Sequence, residues 1–294
     1  MRHKSLFAIL IVSSILGGCR NGSSTSAGVD GSHLYKIVAH RGGYVENGLT
    51  ECSKESLIET IRIRCYASEC DVMWTSDDRV LVCHPDDKGM VNGMIPCEHT
   101  LSEIRSAGKL PNGEKIPSLE DFLKVVKDKR INPLGTKLWL DIKTGEDDPH
   151  GDKVMKRSAE IAKKMGACNL VEYLVPSFHP DYPGVSARMR EEYGIGCAWN
   201  WKIGDAEDYG PDGWAQVQYE MYRASAYWPP TVFFDKGVTL SIFHTPPSLT
   251  GTRGYVETGF DPDIFQYYDR LKALFVNHPK YVISRLIEEG YETP

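Results

Sequence analysis

The segment ASECDVMWTSDDRVLVCH, Ala67 to His84, decides how the rest of the chain is read. Two runs rich in apolar and β-branched residues, Ala67–Trp74 and Arg79–His84, are separated only by Thr75-Ser76-Asp77-Asp78. That link can close a hairpin but cannot carry the crossover of a parallel pair, so the two runs should pair antiparallel. Alternation places Glu69, Asp71 and Met73 on one face and Cys70 and Val72 on the other. With the turn near Asp77, His84 returns beside Glu69 and Asp71. Two carboxylates and an imidazole are thereby expected in one place.

Outward from this hairpin, short apolar runs alternate with helical patterns, the mark of parallel βα units. The expected barrel strands are Tyr35–His40, Ala67–Val72, Lys137–Lys143, Leu170–Ser177, Gly196–Asn200, Ala224–Trp228, Val238–Phe243 and Ala273–Val276. Expected helices are Ser53–Arg64, Leu119–Lys129, Asp152–Met165, Pro183–Glu192, a stretch within Asp212–Tyr222, Asp261–Arg270 and Lys280–Glu289. This is the pattern of an α/β protein, a (β/α)8 TIM barrel with a β-hairpin and a small cap insertion after the second strand. A doubly wound sheet is the alternative, because the later strands are weakly marked.

The N-terminus reads differently. Arg2, His3 and Lys4 precede an apolar run, Leu6 to Ile15, that is too short to span a bilayer as a mature helix. Leu16-Gly17-Gly18-Cys19 then has the pattern of a bacterial lipoprotein signal, with an ordinary secretory signal cleaved nearby as the alternative. The expectation is a signal peptide over 1–18, lipid on Cys19, a flexible Gly/Ser/Thr tether over 19–33, and one catalytic domain over 34–294. Such a protein is exported and anchored to a cell-envelope membrane through its lipid, facing the periplasm or the surface.

A net charge of −6 argues against a nucleic-acid partner, which wants a basic face. It leaves room for a small phosphorylated ligand held by a few local cations. Besides Cys19, the cysteines are 52, 65, 70, 83, 97, 168 and 197, none at zinc-finger spacing. Cys70 and Cys83 alternate with polar residues along their strands and read as packing residues.

The run KLWLDIK, Lys137 to Lys143, repeats the division seen in the hairpin. Trp139, Asp141 and Lys143 share one face, and Leu138, Leu140 and Ile142 share the other. Inward polar groups near strand C-termini are where barrel active sites are built. A buried Asp–Lys pair with a purely structural role is the plainer reading.

These residues resemble an ordered set. AHRGG at residues 39–43, Glu51-Cys52-Ser53, Glu69-Cys70-Asp71, Cys83-His84-Pro85, PSLEDF from Pro117 and Asp141-Ile142-Lys143 are similar to the pattern of the glycerophosphodiester phosphodiesterase family. Fainter echoes follow at Pro176-Ser177-Phe178 and Phe275-Val276-Asn277-His278-Pro279. The resemblance implies an acid–base pair in His40 and His84, with Arg41 and Lys143 on phosphate oxygens. It implies one divalent cation on Glu69, Asp71 and Asp141, with Glu51 in or beside that shell. Hard oxygen ligands suit Ca²⁺ or Mg²⁺. The implied reaction converts a small phosphodiester to a phosphomonoester and an alcohol, through attack by a neighbouring substrate hydroxyl and a cyclic phosphate that water opens. A related phospholipase-D-like or sugar-phosphodiester enzyme, and a non-catalytic surface lipoprotein binding glycans or phosphorylated ligands, are the alternatives. No obligate protein partner is evident.

The chain departs from the family pattern in places. It offers both Glu46-Asn47 and Glu51-Cys52 where the family has Glu-Asn, and the ungapped spacing to Glu69 favours Glu51. His84-Pro85 stands for the usual His-Asp, and Asp141 for a Glu. Trp199-Asn200-Trp201, Phe178-His179 and Phe243-His244 fall near strand ends and can line a leaving-group pocket or simply pack. The acidic run Glu146-Asp147-Asp148 reads as a solvated loop.

Overall fold

The computed structural model describes residues 33–200, 202, 206–210, 213–226, 228–244 and 262–294. The expected signal, Cys19 and nearly all of the tether lie outside the described residues, as do the side chains of Trp201 and His244.

Eight parallel strands close into a ring: β1 (Tyr35–Ala39), β2 (Cys65–Trp74), β4 (Lys137–Ile142), β5 (Val171–Val175), β6 (Gly196–Asn200), β7 (Trp214–Gln218), β8 (Thr239–His244) and β9 (Ala273–Val276). The ring closes because β1 pairs with both β2 and β9. The ninth strand, β3 (Val80–Val82), lies antiparallel to the end of β2, with Val72 opposite Val82 and Trp74 opposite Val80. The fold is therefore the α/β barrel with the expected hairpin. Beyond β3, a helix at Leu101–Ala107 sits over its own apolar cluster, in which Leu101 and Ile104 pack with Met73, Leu81 and Val91. This is the expected cap insertion.

Helices fall between the strands and start where short polar side chains satisfy free backbone amides. Ser53 and Ser56 form a reciprocal cap on the helix Lys54–Arg62. The PSLEDF motif is a second such cap: Asp121 accepts from the Ser118 amide and hydroxyl, both at 3.0 Å, at the start of Leu119–Lys127. Helices also follow at Asp152–Lys164, Tyr182–Tyr193 and Pro279–Glu288, within a residue or so of their expected positions.

One strand is not where the sequence suggested. Trp214–Gln218, within a stretch expected to be helical, is strand β7, and no strand is found among the described residues of the expected Ala224–Trp228. The inward face of β7 is polar: Gln216 is fully buried and accepts from the Ser241 hydroxyl, which in turn accepts from Trp214 Nε1 at 3.0 Å. The alternation of β7 is confined to Ala215-Gln216-Val217-Gln218, too short a run to mark a strand buried on both faces. Of that expected strand, residues 224–226 follow the helical turn Tyr219–Arg223, and Trp228 packs edge-on against Tyr219 and Tyr222.

Two cores result. Outward-facing residues such as Ile37, Val72, Leu138 and Leu140 pack against Leu123, Ala159 and other helix residues. Inside the ring, Trp139, Trp214, Phe243 and Phe275 are accommodated by small neighbours, Ala67, Ala198 and Ala273. The tilted Trp139–Trp214 pair has centroids 5.4 Å apart and Phe243–Phe275 4.4 Å, so the barrel is filled rather than open.

An ionic knot sits beneath these rings, toward the strand N-termini. The buried Glu172 carboxylate accepts from Lys137 Nζ (2.8 Å), Lys272 Nζ (3.2 Å), Trp139 Nε1 (2.6 Å) and the Tyr66 hydroxyl (2.9 Å). Burial opposes its ionisation, but the two lysines outweigh burial and hold the carboxyl below its ordinary value. Lys272 moves down instead, because burial and Lys137 together exceed its half share of one carboxylate. Glu172→Gln should leave both ammonium groups uncompensated and destabilise the protein at pH 7 by about 3–5 kcal/mol in urea unfolding. Because the wild-type carboxyl ionises below 4.5, the gap between wild type and variant should close as pH falls through that range.

Candidate active site

Polar side chains gather at the opposite end, where strand C-termini open to solvent. Parallel pairing of β2 and β4 sets Asp71 level with Asp141 and Glu69 level with Trp139. Side chains two apart on one strand share its inward face, so Glu69, Asp71 and Asp141 converge by register alone. Their nearest carboxylate oxygens all lie within 4.8 Å of one another.

β1 delivers His40 and Arg41. Arg41 adopts a left-handed backbone (φ 51°), uncommon for a residue with a side chain. That turn aims its amide at Glu69 Oε2 (2.8 Å), while its guanidinium reaches Glu51 (2.9 Å) and Asp71 (3.5 Å). Gly42 follows at φ +88°, and a Cβ there would lie 2.4 Å from Ser56 Oγ, so the close approach of this turn to the first helix requires glycine.

Lys143 follows β4, its amide donating to the Val72 carbonyl at 3.1 Å. Its ammonium bridges Asp141 (2.6 Å) and Asp71 (2.9 Å). On this face, four carboxylates, counting Glu51, meet two cations.

The charges register that imbalance. Burial, then repulsion from Asp71 and Asp141, pushes Glu69 well above the usual carboxylate range. Burial also opposes ionisation of Asp71, but Lys143, His84 and Arg41 outweigh it and hold Asp71 low. Burial and Asp71 push Asp141 up against the pull of Lys143. Burial works against charge on Arg41 and Lys143 too, yet the surrounding carboxylates keep both firmly protonated.

His40 lies between Phe243 and Phe275, ring centroids 5.0 and 5.3 Å away, both edge-on. Its Nδ1 meets Asn277 Oδ1 at 2.6 Å. An amide oxygen only accepts, so Nδ1 carries the proton and Nε2 keeps its lone pair. Burial and then Arg41 lower this imidazole to about 4. His84 is lowered as well, first by burial, with Asp71 and Glu51 pulling the other way.

The route by which His84 arrives differs from simple alternation. Cys83 lies opposite Asp71, its amide donating to the Asp71 carbonyl at 3.1 Å, so a continued strand would turn His84 to the far face. Pairing ends at Val82, and in the irregular chain beyond it His84 interacts with Asp71, Arg41, Lys143 and Glu51.

Every site residue singled out among the described residues therefore belongs to one cluster: His40, Arg41, Glu51, Glu69, Asp71, His84, Asp141 and Lys143. Glu51 engages Arg41 rather than the three-carboxylate group. Three neighbours join it: Asn277 and Cys52, to which the sequence alone assigned no role, and Asn200, expected from the sequence as a candidate pocket residue. Asn277 orients His40, Asn200 Nδ2 lies 3.4 Å from Asp141 Oδ1, and the buried Cys52 thiol donates to Asp71 Oδ2 at 3.6 Å. Each had a signal: Asn277 and Asn200 follow the inward residues Phe275 and Ala198 by two, and Cys52 follows Glu51. His179 is elsewhere, its Nε2 3.4 Å from Asp152 Oδ1 with the His150 ring nearby, while Phe178 projects into solvent. The seven cysteines past Cys19 are free thiols, with Cys70 in the outer core and Cys83 against the cap cluster.

No family profile and no curated protein sequence matches the chain. Its fold is similar to solved structures. A glycerophosphodiester phosphodiesterase from Parabacteroides distasonis superposes with a TM-score of 0.66 at 20% identity, covering 88% of this chain and 100% of that one. A glycerophosphodiester phosphodiesterase from Agrobacterium tumefaciens gives 0.58 at 15% identity over 85% and 100%. One from Thermotoga maritima gives 0.53 at 19% over 86% and 99%. The barrel is thus the one on which these enzymes are built.

The Asn277 contact yields a test independent of any reaction. Asn277→Asp should place an opposite charge on Nδ1 and raise the His40 pKa by about 1–3 units, read by NMR titration of the ring. Asn277→Ala should not raise it.

Proposed function

We propose that the protein is a divalent-metal-dependent phosphodiesterase acting on a glycerophosphodiester-like substrate, and that it belongs with the enzymes whose barrel it shares. The observation that carries this reading is the convergence of Glu69, Asp71 and Asp141 with two fixed cations and two imidazoles at one barrel mouth.

The donor set fits a hard cation. Three carboxylates offer oxygens only, and the two cations leave negative charge uncompensated. Glu69, Asp71 and Asp141 would hold Ca²⁺ or Mg²⁺, with Glu51 beside them keeping Arg41 in place. Bound there, the ion supplies Lewis-acid polarisation of a phosphate oxygen. Arg41 and Lys143 bind the remaining phosphate oxygens and stabilise the charge that grows on them during displacement.

His40 is suited to the base. Its Nε2 is unprotonated near neutral pH and its ring is held by Asn277, so it can take the proton of an attacking hydroxyl as the new P–O bond forms. His84 takes the acid role: Asp71 and Glu51 favour its charged form against burial, Arg41 and Lys143, and once protonated it gives its proton to the leaving alkoxide as the old P–O bond breaks. A neighbouring hydroxyl of the substrate is the natural attacker, with water opening the resulting cyclic phosphate by the reverse roles.

We also infer that the enzyme is exported and tethered through lipid on Cys19, a reading supported by the Leu16-Gly17-Gly18-Cys19 sequence and the polar link after it. Cys19→Ser should then move the protein from the membrane to the soluble fraction; wild-type protein that is already soluble, with its N-terminus elsewhere, sinks this inference.

Activity on glycerophosphodiesters should disappear in EDTA. Glu69→Ala and Asp71→Ala should weaken metal binding, and excess Ca²⁺ or Mg²⁺ should restore part of the turnover. His40→Ala and His84→Ala should retain metal yet lose roughly 10²–10⁴-fold in kcat, without rescue. Full activity in EDTA, or in the double histidine variant, would refute the mechanism.

A further inference from the structure

A groove between the hairpin, the cap and the loop after β4 is not used by the chemistry above. Met73, Trp74, Ile95, Pro96 and Cys97 line it, together with Lys143, and it holds about 190 Å³. Lys143 is shared with the carboxylate cluster. A phosphodiester held on that ammonium therefore has one ester arm beside the groove.

The walls are fixed before anything enters. Met73 and Pro96 are buried. The Trp74 indole N–H is tied to Asp78 Oδ1 at 3.1 Å, and Lys153 Nζ lies 4.8 Å from the ring centroid. Preformed apolar walls bind without ordering cost.

The charges limit what the arm can be. Lys143 and Lys88 border the groove with Glu146 and Asp148, so its charges balance, and Lys153 already uses the Trp74 ring face that a quaternary ammonium would need. The Asp148 carboxylate is held in place by the Lys153 and Val154 amides at 3.1 and 3.0 Å, and Glu146 lies in the exposed loop. A polyol would exchange water for thioether, thiol and hydrocarbon over most of the lining, where its hydroxyls find few partners. Hydrocarbon gains from the same walls.

Building on the phosphodiesterase reading, we propose that this groove receives a hydrocarbon ester arm, so that the preferred substrate is a phosphodiester of an alkyl or aryl alcohol. Three diesters that share a glycerol phosphate half and differ only in the other arm (hexyl, glyceryl, choline) test this through kcat/KM. The hexyl diester should lead by about tenfold or more, since several buried methylenes contribute at that level. Ile95→Trp, which fills the groove, and Ile95→Asn, which makes it polar without adding bulk, should both abolish the preference. Glyceryl turnover and the melting temperature should stay close to wild type, so loss of folding is read separately. Equal turnover of the three diesters, a choline preference, or a hexyl preference surviving both Ile95 variants overturns the groove assignment. Failure of all three diesters overturns the phosphodiesterase reading on which it rests.

Discussion

Parallel register between β2 and β4 forces Glu69, Asp71 and Asp141 onto one small surface, and the rest of the mouth is arranged around that crowding. Carboxylates this close, two of them buried, repel strongly and lose hydration. Arg41 and Lys143 answer part of the charge by direct ion pairing. The turn that supplies Arg41 runs through a left-handed residue and a glycine pressed against Ser56, so local backbone cost is accepted where it brings a cation to the carboxylates. What negative charge remains is the ground for reading the cluster as a cation site.

The barrel separates this demanding chemistry from its own stability. Aromatic and small residues interlock in the middle of the ring, and the Glu172 knot joins five side chains from β2, β4, β5 and the residue before β9 at the far end. Both ends use buried charge, but differently. At the floor each polar atom of Glu172 is met by protein donors, whereas at the mouth the Asn200 amide oxygen is buried with no partner. Satisfied networks rigidify, whereas a buried polar group left without a partner is costly. Phe243 and Phe275 join the two regions, since the same rings that fill the interior also dry the pocket around His40.

Position on the sequence therefore maps unevenly onto role. Glu69, Asp71 and Asp141 were legible because strand alternation has a period of two and each lies on a strand with an apolar opposite face. The hairpin was legible because its link is too short for any other pairing. Strand β7 was not, because Gln216 finds its partner in Ser241, a residue on the next strand, and nothing local marks such a glutamine as buried. Asn277 and Cys52 escaped for a related reason: each acts on a side chain from a different element, His40 and Asp71.

The sequence by itself determined the alternation of strands and helices, the antiparallel hairpin, and which carboxylates and cations share inward faces, since these follow from local periodicity and link length. Tertiary structure decided how those faces meet. It alone set Asp71 level with Asp141, turned His84 back toward them once the β3 ladder ended, and placed Asn277 from the last strand on the imidazole of the first. It also decided that Met73 and Trp74 would face Ile95 and Pro96 across a groove. The physical reason is barrel closure: inter-strand register and the joining of first strand to last are properties of the whole ring, which no short window of residues contains.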